Sequence, residues 1–89
     1  MYFVYMIKNS ADKLYIGITD NHEQRLREHN TARGAHFTKY IPTYRVTFLE
    51  EYSTMAEARK REIQLKRWRR EKKEALIKRY EQGLQTKLL

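Results

Sequence analysis

Residues 3–19 read FVYMIKNSADKLYIGIT, two apolar stretches joined by a polar one. Both apolar stretches are rich in β-branched and aromatic residues, which favour strands. The connection contains Asn, Ser and Asp, which are typical of turns. The pattern therefore predicts a β-hairpin, with one strand over residues 2–8 and the other over residues 14–19.

The register of this hairpin decides where its two tyrosines point. Tyr5 and Tyr15 stand ten positions apart. If paired residue numbers sum to an even value, both tyrosines and Gly17 share one face, whereas an odd sum separates the tyrosines. A connection of five residues, from Asn9 to Lys13, gives an even sum. We therefore predict that both phenols lie on one face of the sheet.

The rest of the chain carries three helix signals. Asp20 or Asn21 can cap a helix that ends near Asn30. Thr54 lies three residues before a glutamate, which is the spacing of a capping box, and Gly83 is suited to end the last helix. The predicted segments are a loop over residues 31–43, a strand over 44–52, helices over 55–68 and up to 82, and a frayed tail. One domain over residues 1–82 and a C-terminal tail over 83–89 are expected.

Composition limits the class of protein. The chain has 89 residues and a net charge of +8. This excess of positive charge favours a polyanion, and nucleic acid is the expected partner, with a solvated basic surface as the alternative. The absence of Cys excludes disulfides and thiolate-bound zinc. Because no signal peptide and no membrane-length apolar run is present, we expect a cytoplasmic protein without membrane contact.

A carboxylate falls on the predicted core side of the helix that follows Thr54. On a helical wheel, Glu62 and Arg59 lie within the apolar arc, whose members are Met55, Ala56, Ala58, Ile63 and Leu65. A carboxylate in that position must be paired or must bind a cation. Two interpretations stay open. Arg59 and Glu62 form an ion pair that neutralises both charges, or Glu62 belongs to a Mg²⁺ or Mn²⁺ site completed by water and a substrate phosphate.

Arg25 and His29 lie one turn apart on the first predicted helix. They form either an exposed basic face or a phosphate site. In a phosphate site, Arg25 would clamp the anion with two donors, and His29 would transfer a proton near neutral pH. His36, in the predicted loop, is a further candidate.

Tyr5 and Tyr15 are equally open to two interpretations. Tyrosines in strands commonly serve packing. A phenol acts as a general base only if nearby cations lower its pKa. Arg25, Lys13 and a bound metal ion are the candidate sources of that positive charge.

The order of these residues resembles a known family. The chain carries Tyr5, then Tyr15-Ile16-Gly17, then Arg25-x-x-x-His29, then a helical Glu62. This series resembles the motifs of the GIY-YIG nuclease domain. The resemblance runs from about Tyr2 to Ile77, and the chain looks most similar to the small stand-alone bacterial members of the family. It implies an α+β fold, a three-stranded antiparallel sheet flanked by three or more helices, and metal-dependent hydrolysis of phosphodiesters.

The resemblance also implies a role for each matching residue. Tyr5 and Tyr15 would position or deprotonate the attacking water, and Arg25 would hold the scissile phosphate. His29 matches a histidine used in proton transfer. Glu62 matches the sole carboxylate ligand of the divalent ion, Mg²⁺ or Mn²⁺. The chain departs from the family at the first motif, which reads VYM, and where many members carry a downstream Asn it reads RREKKEAL.

A nucleic-acid substrate follows from the resemblance, DNA rather than RNA, in repair or DNA processing. The alternative is a non-catalytic nucleic-acid-binding module derived from the same fold, and a protein partner that supplies specificity fits either function. Gly17 would leave space beside Tyr5 for a phosphate. The candidate nucleic-acid contacts are Lys13, Gly17, His36, Arg67, Arg69, Arg70, Lys72 and Lys73. Their basic members could equally form a solvated surface.

Overall fold

The computed structural model describes residues 1–34 and 43–89, without the side chains of His29 and of residues 31–34. The elements are β1 (Tyr2–Asn9), β2 (Leu14–Thr19), α1 (His22–Gly34), β3 (Tyr44–Tyr52), α2 (Met55–Lys66) and α3 (Arg70–Glu81). Within the described residues they form the expected α+β fold, a three-stranded antiparallel sheet with three helices. No helix in this part of the chain is both long enough and apolar enough to cross a membrane.

The predicted hairpin register is confirmed. β1 lies between β2 and β3 and pairs antiparallel with both. Tyr5 lies opposite Gly17, and Ile7 lies opposite Tyr15. The paired numbers therefore sum to an even value, and the two tyrosines share a face.

Asn9 holds the turn of this hairpin. Its side-chain oxygen accepts hydrogen bonds from the backbone N–H groups of Ala11 at 3.0 Å and Lys13 at 2.9 Å. Asp12 has a φ of 65°, a left-handed conformation that Asp tolerates better than most residues. These local bonds set the length of the connection, and the length sets the register.

Different helices cover the two faces of the sheet. On one face, α2 and α3 pack on a core of Val4, Met6, Phe48, Ala58, Leu65, Leu76 and Ile77. On the other face, Leu26 of α1 packs on a smaller cluster of Tyr5, Ile7, Tyr44, Val46 and Leu49. The candidate tyrosines belong to the α1 side, whereas α2 approaches the sheet from the opposite side.

α1 begins as predicted but ends later. The side-chain oxygen of Asn21 accepts a hydrogen bond from the backbone N–H three residues on, at 3.1 Å, which caps the helix at His22. The helix continues to Gly34. The predicted end near Asn30 is therefore wrong, and so is the predicted loop at residues 31–34. The rest of that loop, residues 35–42, lies outside the described residues.

Asn30 explains this error, because its amide serves tertiary structure and does not end the helix. The Asn30 side chain donates to the backbone oxygen of Tyr44 at 3.2 Å and accepts from the Tyr44 backbone nitrogen at 2.7 Å. A residue type that commonly marks helix ends here ties α1 to the start of β3.

α2 buries a different set of side chains from the predicted arc. Met55 and Ile63 are 48% and 46% exposed, and Ala56 is also exposed. The buried residues are Ala58, Arg61, Glu62 and Leu65. Arg61 can be buried because its guanidinium pairs with Glu50 on β3, a partner that a wheel of α2 alone cannot reveal.

The ends of α2 and α3 agree with their sequence signals. The Thr54 hydroxyl accepts a hydrogen bond from the backbone N–H of Glu57 at 3.2 Å, as the capping box predicts. Gly83 follows α3 with a φ of 74°, the left-handed conformation of a helix end. Both helix boundaries therefore lie where local chemistry places them.

Residues near the C-terminus pack on the domain, so the prediction of a frayed tail is wrong for them. Thr86 is 7% exposed, and its backbone oxygen accepts from Arg61 at 3.0 Å. Arg79 donates twice to the backbone oxygen of Gln85, at 3.1 and 2.9 Å. Hydropathy did not reveal these contacts because hydrogen bonds, not apolar side chains, hold the segment.

Candidate active site

Tyr5 lies at the centre of the α1 side of the sheet and is 8% exposed. Its ring lies over Gly17, and a Cβ atom at residue 17 would meet the phenol oxygen at 2.4 Å and the Cζ atom at 2.6 Å. The tyrosine ring therefore fills the space that the glycine leaves, and the predicted open space for a phosphate is not found there. Glycine is needed at this position so that the ring of Tyr5 can cross β2.

Replacing Gly17 with alanine should lower the free energy of unfolding by about 1–3 kcal/mol, since the added methyl group overpacks against the ring. Urea denaturation measures the change. The same substitution in a Tyr5→Leu background should cost less, because leucine lacks the distal ring atoms. An alanine variant as stable as the original chain would show that the ring moves aside freely.

Two candidate groups, Arg25 and Glu62, act electrostatically on the Tyr5 phenol. Burial raises the pKa of Tyr5 above its ordinary value, the positive charge of Arg25 lowers it, and the negative charges of Glu62 and Glu28 raise it. Such effects require charges within a short distance of the phenol. The charges of Arg25 on α1 and of Glu62 on α2 therefore both act on the phenol of Tyr5.

The net direction of this pKa shift is upward. Arg25 lowers the pKa of Tyr5 as expected, but burial has the larger effect and raises it. A phenol with a raised pKa stays protonated at neutral pH and can donate a hydrogen bond.

Arg25 is part of α1, and its side chain is 47% exposed. Its Nη1 atom lies 3.3 Å from a carboxylate oxygen of Glu28, whose side chain is 51% exposed. Exposed pairs of this kind are worth about 0–1 kcal/mol. The guanidinium is therefore available to an incoming anion at little cost.

Tyr15 shares the face of Tyr5 and is the more exposed of the two, at 39%. Its ring packs edge-on against the ring of Tyr44, with the centroids 5.6 Å apart. Since Tyr44 belongs to the same cluster as Tyr5, the phenol of Tyr15 is held by packing at the border of the cluster, where it meets solvent.

Glu62 has charged neighbours but no hydrogen bond within the described chain. Its side chain is 10% exposed and lies 3.3 Å from the Lys66 ammonium and 3.9 Å from the Arg59 guanidinium. Every fully buried side-chain oxygen in the described residues has a hydrogen-bond partner, so the Glu62 oxygens reach solvent. The Arg59 pair suggested by the sequence is present, although Lys66 lies closer.

Glu50 provides the comparison, because it is a buried carboxylate with a structural role. It accepts hydrogen bonds from Arg61 at 2.9 and 3.1 Å and from the Tyr52 hydroxyl at 2.8 Å. Burial raises the pKa of Tyr52, and the hydrogen bond of its hydroxyl to Glu50 raises it further. Glu50 accepts three hydrogen bonds from the protein, whereas Glu62 accepts none from the described residues and keeps its lone pairs for another partner.

The residues present fit a divalent ion with a single protein carboxylate. No group of three or more acidic or histidine side chains in the described part of the chain could hold a metal ion. A hard cation such as Mg²⁺ accepts one or two carboxylates and completes its shell with water and substrate phosphate. The solvent-reaching oxygens of Glu62 match that requirement, and they are the oxygens that would hold the ion.

The basic residues proposed to contact nucleic acid differ in whether they already contact other residues of the chain. Arg70 donates to the backbone oxygen of Asp12 at 2.8 Å and pairs with the Asp12 and Glu74 carboxylates at 3.3 and 2.8 Å. The ammonium group of Lys72 lies 4.1 Å from the centre of the Trp68 ring. The structure thus gives Arg70 and Lys72 internal contacts. The other members in the described residues are exposed or half-buried: Lys13, Arg67, Arg69 and Lys73.

Two histidine predictions cannot be placed. The backbone of His29 belongs to α1, but its side chain lies outside the described residues, and His36 lies wholly outside them. Their proposed roles stay predictions.

Sequence reasoning missed Lys66, the nearest charged neighbour of Glu62. The signal was available, because a Glu followed by Lys four residues later places both side chains on one side of a helix. It also missed the Arg61–Glu50 pair, for which no local signal exists, since the two residues come from different elements.

The structure combines a three-stranded antiparallel sheet and three helices with tyrosines on the hairpin, an arginine on α1 and a buried glutamate on α2. A family model described as the GIY-YIG catalytic domain matches residues 1–82. The chain therefore belongs to the GIY-YIG family.

Small bacterial proteins of this family are similar to nearly the whole chain. UPF0213 proteins of Staphylococcus aureus strains Mu3 and Mu50 are each 39% identical over 77 residues, which cover 86% of this chain and 94% of theirs. The solution NMR structure of a UPF0213 protein from Bacillus halodurans is similar with a TM-score of 0.57 and 26% identity, over 88% of this chain and 84% of that one. These names carry no specific activity.

Proposed function

We propose that the chain is a divalent-metal-dependent endonuclease that hydrolyses phosphodiester bonds of DNA, rather than RNA, in repair or DNA processing. Its membership of the GIY-YIG family supports nuclease chemistry. Its net charge of +8 supports a polyanionic substrate. The catalytic groups of the proposal are Tyr5, Tyr15, Arg25, His29 and Glu62.

The observation that carries the proposal is the environment of Glu62. A buried acid with a purely structural role would be expected to resemble Glu50, which has three protein donors. Glu62 instead faces two cations whose side chains are 54% and 55% exposed, and it keeps solvent-reaching oxygens whose charge raises the pKa of the Tyr5 phenol. That environment suits an acid that binds something from outside.

In the proposed reaction, a water oxygen forms a bond to phosphorus while the bond from phosphorus to the leaving oxygen breaks. Arg25 presents two N–H donors to the non-bridging oxygens and stabilises the charge that grows on them. It does so by leaving Glu28, to which it is bound only by an exposed pair.

The two tyrosines position the attacking water. The raised pKa of Tyr5 favours a protonated hydroxyl, which would donate a hydrogen bond to the water. Tyr15 contributes a second, more exposed hydroxyl. The proton of the water passes to His29, since an imidazole accepts protons near neutral pH. Mg²⁺ or Mn²⁺ held by Glu62 would supply the positive charge that stabilises the leaving oxygen.

A non-catalytic nucleic-acid-binding module is the second candidate function. One contact favours it: the Lys66 ammonium, 3.3 Å from Glu62, already supplies a positive charge to the carboxylate. The sequence RREKKEAL, where many members carry an Asn, favours it as well. A protein partner could supply specificity to either form.

A substrate panel decides between the two functions. The chain is incubated with linear, nicked, branched and single-stranded DNA and with RNA, in Mg²⁺, in Mn²⁺ and in EDTA. We expect cleavage with a metal ion, none in EDTA, and faster cleavage of DNA than of RNA. Binding in EDTA without cleavage at any enzyme concentration would overturn the nuclease proposal and establish the binding module.

A further inference from the structure

A groove runs along the side of α2 that faces away from Glu62. Its larger part, of about 470 Å³, is lined by Lys60, Ile63, Gln64, Arg67 and Trp68. A second depression shares two of these residues and extends towards the C-terminus; it is lined by Tyr52, Glu57, Lys60, Arg61, Gln64 and Lys87. We call the two together the α2 groove. At about 100° per residue, Lys60 and Glu62 point about 160° apart around the helix, so the groove is distinct from the candidate active site.

The charge of the α2 groove is positive and largely unneutralised. Lys60 and Arg67 are exposed, and neither has a side-chain hydrogen bond or ion pair with any residue the structure describes. Glu57 is the single acid lining the groove, and Arg61 is already paired with Glu50. The two unpartnered cations are seven residues apart, about 10 Å along the helix axis. They are suited to separate phosphates of one strand.

Apolar surface lies between these two cations. Ile63 is 46% exposed although it stands in the middle of α2. The side chain of Trp68 lines the same part of the groove. The Lys72 ammonium lies 4.1 Å from the centre of its ring, and the Arg61 guanidinium lies 5.4 Å from it. Phosphate alone would gain nothing from an exposed isoleucine. An anion that also carries flat apolar groups would gain from both features.

We propose that the α2 groove binds single-stranded nucleic acid, with phosphates on Lys60 and Arg67 and a base against Ile63 and Trp68. Unpaired bases are free to contact apolar side chains, whereas a duplex keeps them stacked inside. This binding needs neither a metal ion nor Glu62. The groove would hold a strand that passes around α2 from the candidate active site.

Trp68 gives a direct test, because it is the single tryptophan of the chain. Its fluorescence is followed in EDTA while a single-stranded oligothymidine is added, and we expect saturable quenching. A Lys60→Ala/Arg67→Ala variant should weaken binding about 20-fold at 0.1 M salt. It should also reduce the log–log salt slope by about 1.4, since each single-strand phosphate contributes about 0.7.

Three further variants isolate the groove. Arg45→Ala/Lys78→Ala removes the same charge from exposed positions that do not line it, and should change the affinity by less than about threefold. Ile63→Ser should weaken binding without changing the salt slope. Glu62→Gln should leave the quenching unchanged, so failure of the nuclease proposal and failure of this one are separable. Circular dichroism checks that each variant is folded.

Several outcomes would overturn the inference. They are an unquenched Trp68, a duplex that quenches at least as well as the single strand, and a charge-matched control that loses as much affinity as the groove variant. If a poly-glutamate peptide quenches Trp68 with a higher affinity than the oligothymidine, the occupant is instead an acidic protein segment.

Discussion

Replacing Arg61 with methionine should lower the free energy of unfolding by about 3–5 kcal/mol, because it leaves a buried carboxylate without its charge partner. The side chains of Arg61 and Glu50 are only 6% and 2% exposed, and two N–H groups of the guanidinium meet the two carboxylate oxygens at 2.9 and 3.1 Å. For a domain whose total stability is of the order of 5–15 kcal/mol, this is a large fraction.

The loss should extend beyond the pair itself. Arg61 also donates to the side-chain oxygen of Gln64 at 2.9 Å and to the backbone oxygen of Thr86 at 3.0 Å. One guanidinium thus joins α2, β3 and the C-terminal segment. We expect the methionine variant to release that segment, which hydrogen exchange at residues 85–87 would detect.

Chemical denaturation measures the loss of stability, and a double variant is its control. Arg61→Met combined with Glu50→Gln removes both charges and keeps an acceptor for the Tyr52 hydroxyl. It should recover much of the stability, since pairs of neutral residues avoid the cost of an isolated buried charge. If the single and double variants are equally destabilised, the effect comes from lost packing and not from the unpaired carboxylate.

Glu62→Gln should reduce cleavage by about 10²–10³-fold, the range found when one group that stabilises the transition state is removed. The side chain keeps its size but loses the charge that would hold a metal ion. Because no described residue donates a hydrogen bond to Glu62, the folded state should lose little. DNA binding in EDTA should persist, since the variant removes a negative charge near the phosphate.

Cleavage rates in Mg²⁺ and denaturation midpoints are compared for Glu62→Gln and for Glu71→Gln. Glu71 is an exposed acid in the first turn of α3, and its substitution makes the same change in net charge. We expect the Glu71 variant to cleave at the rate of the original chain. Equal cleavage by all three proteins would remove Glu62 from the mechanism while leaving the fold unaffected.

The sequence predicted those parts of the fold that local chemistry determines. The hairpin register followed from a five-residue connection, and Asn9 explains it with two short-range hydrogen bonds. The Thr54 cap and the end at Gly83 also follow from neighbouring residues. Each of these features involves groups within a few positions of one another.

Long-range polar contacts account for the errors. The wheel of α2 ranked residues by hydropathy and placed Met55 and Ile63 in the core. The structure instead buries Arg61, whose partner is on β3. The sequence predicts a helix end near Asn30, because it does not reveal that the side chain of Asn30 bonds to Tyr44, fourteen positions away. A periodic pattern carries no information about a partner on another element.

The same difference between local and long-range contacts applies to the candidate site. The face shared by Tyr5 and Tyr15 followed from register, and the place of Glu62 on α2 followed from spacing. The raised pKa of Tyr5 did not, since it depends on burial beneath α1 and on charges from two helices. The sequence also did not show why residue 17 is glycine, because the ring of Tyr5 lies over it and tertiary packing sets the direction of that ring.

The strand order leaves β2 at one edge of the sheet, paired only with β1 among the described residues. Its six residues, LYIGIT, carry no charge, whereas β3 at the other edge carries exposed Arg45 and Glu51. An uncharged outer strand is a template for adding a strand from a neighbouring molecule. We therefore expect Lys13 and Asp20, which flank β2, to limit self-association, and the chain should aggregate more readily when both are neutralised.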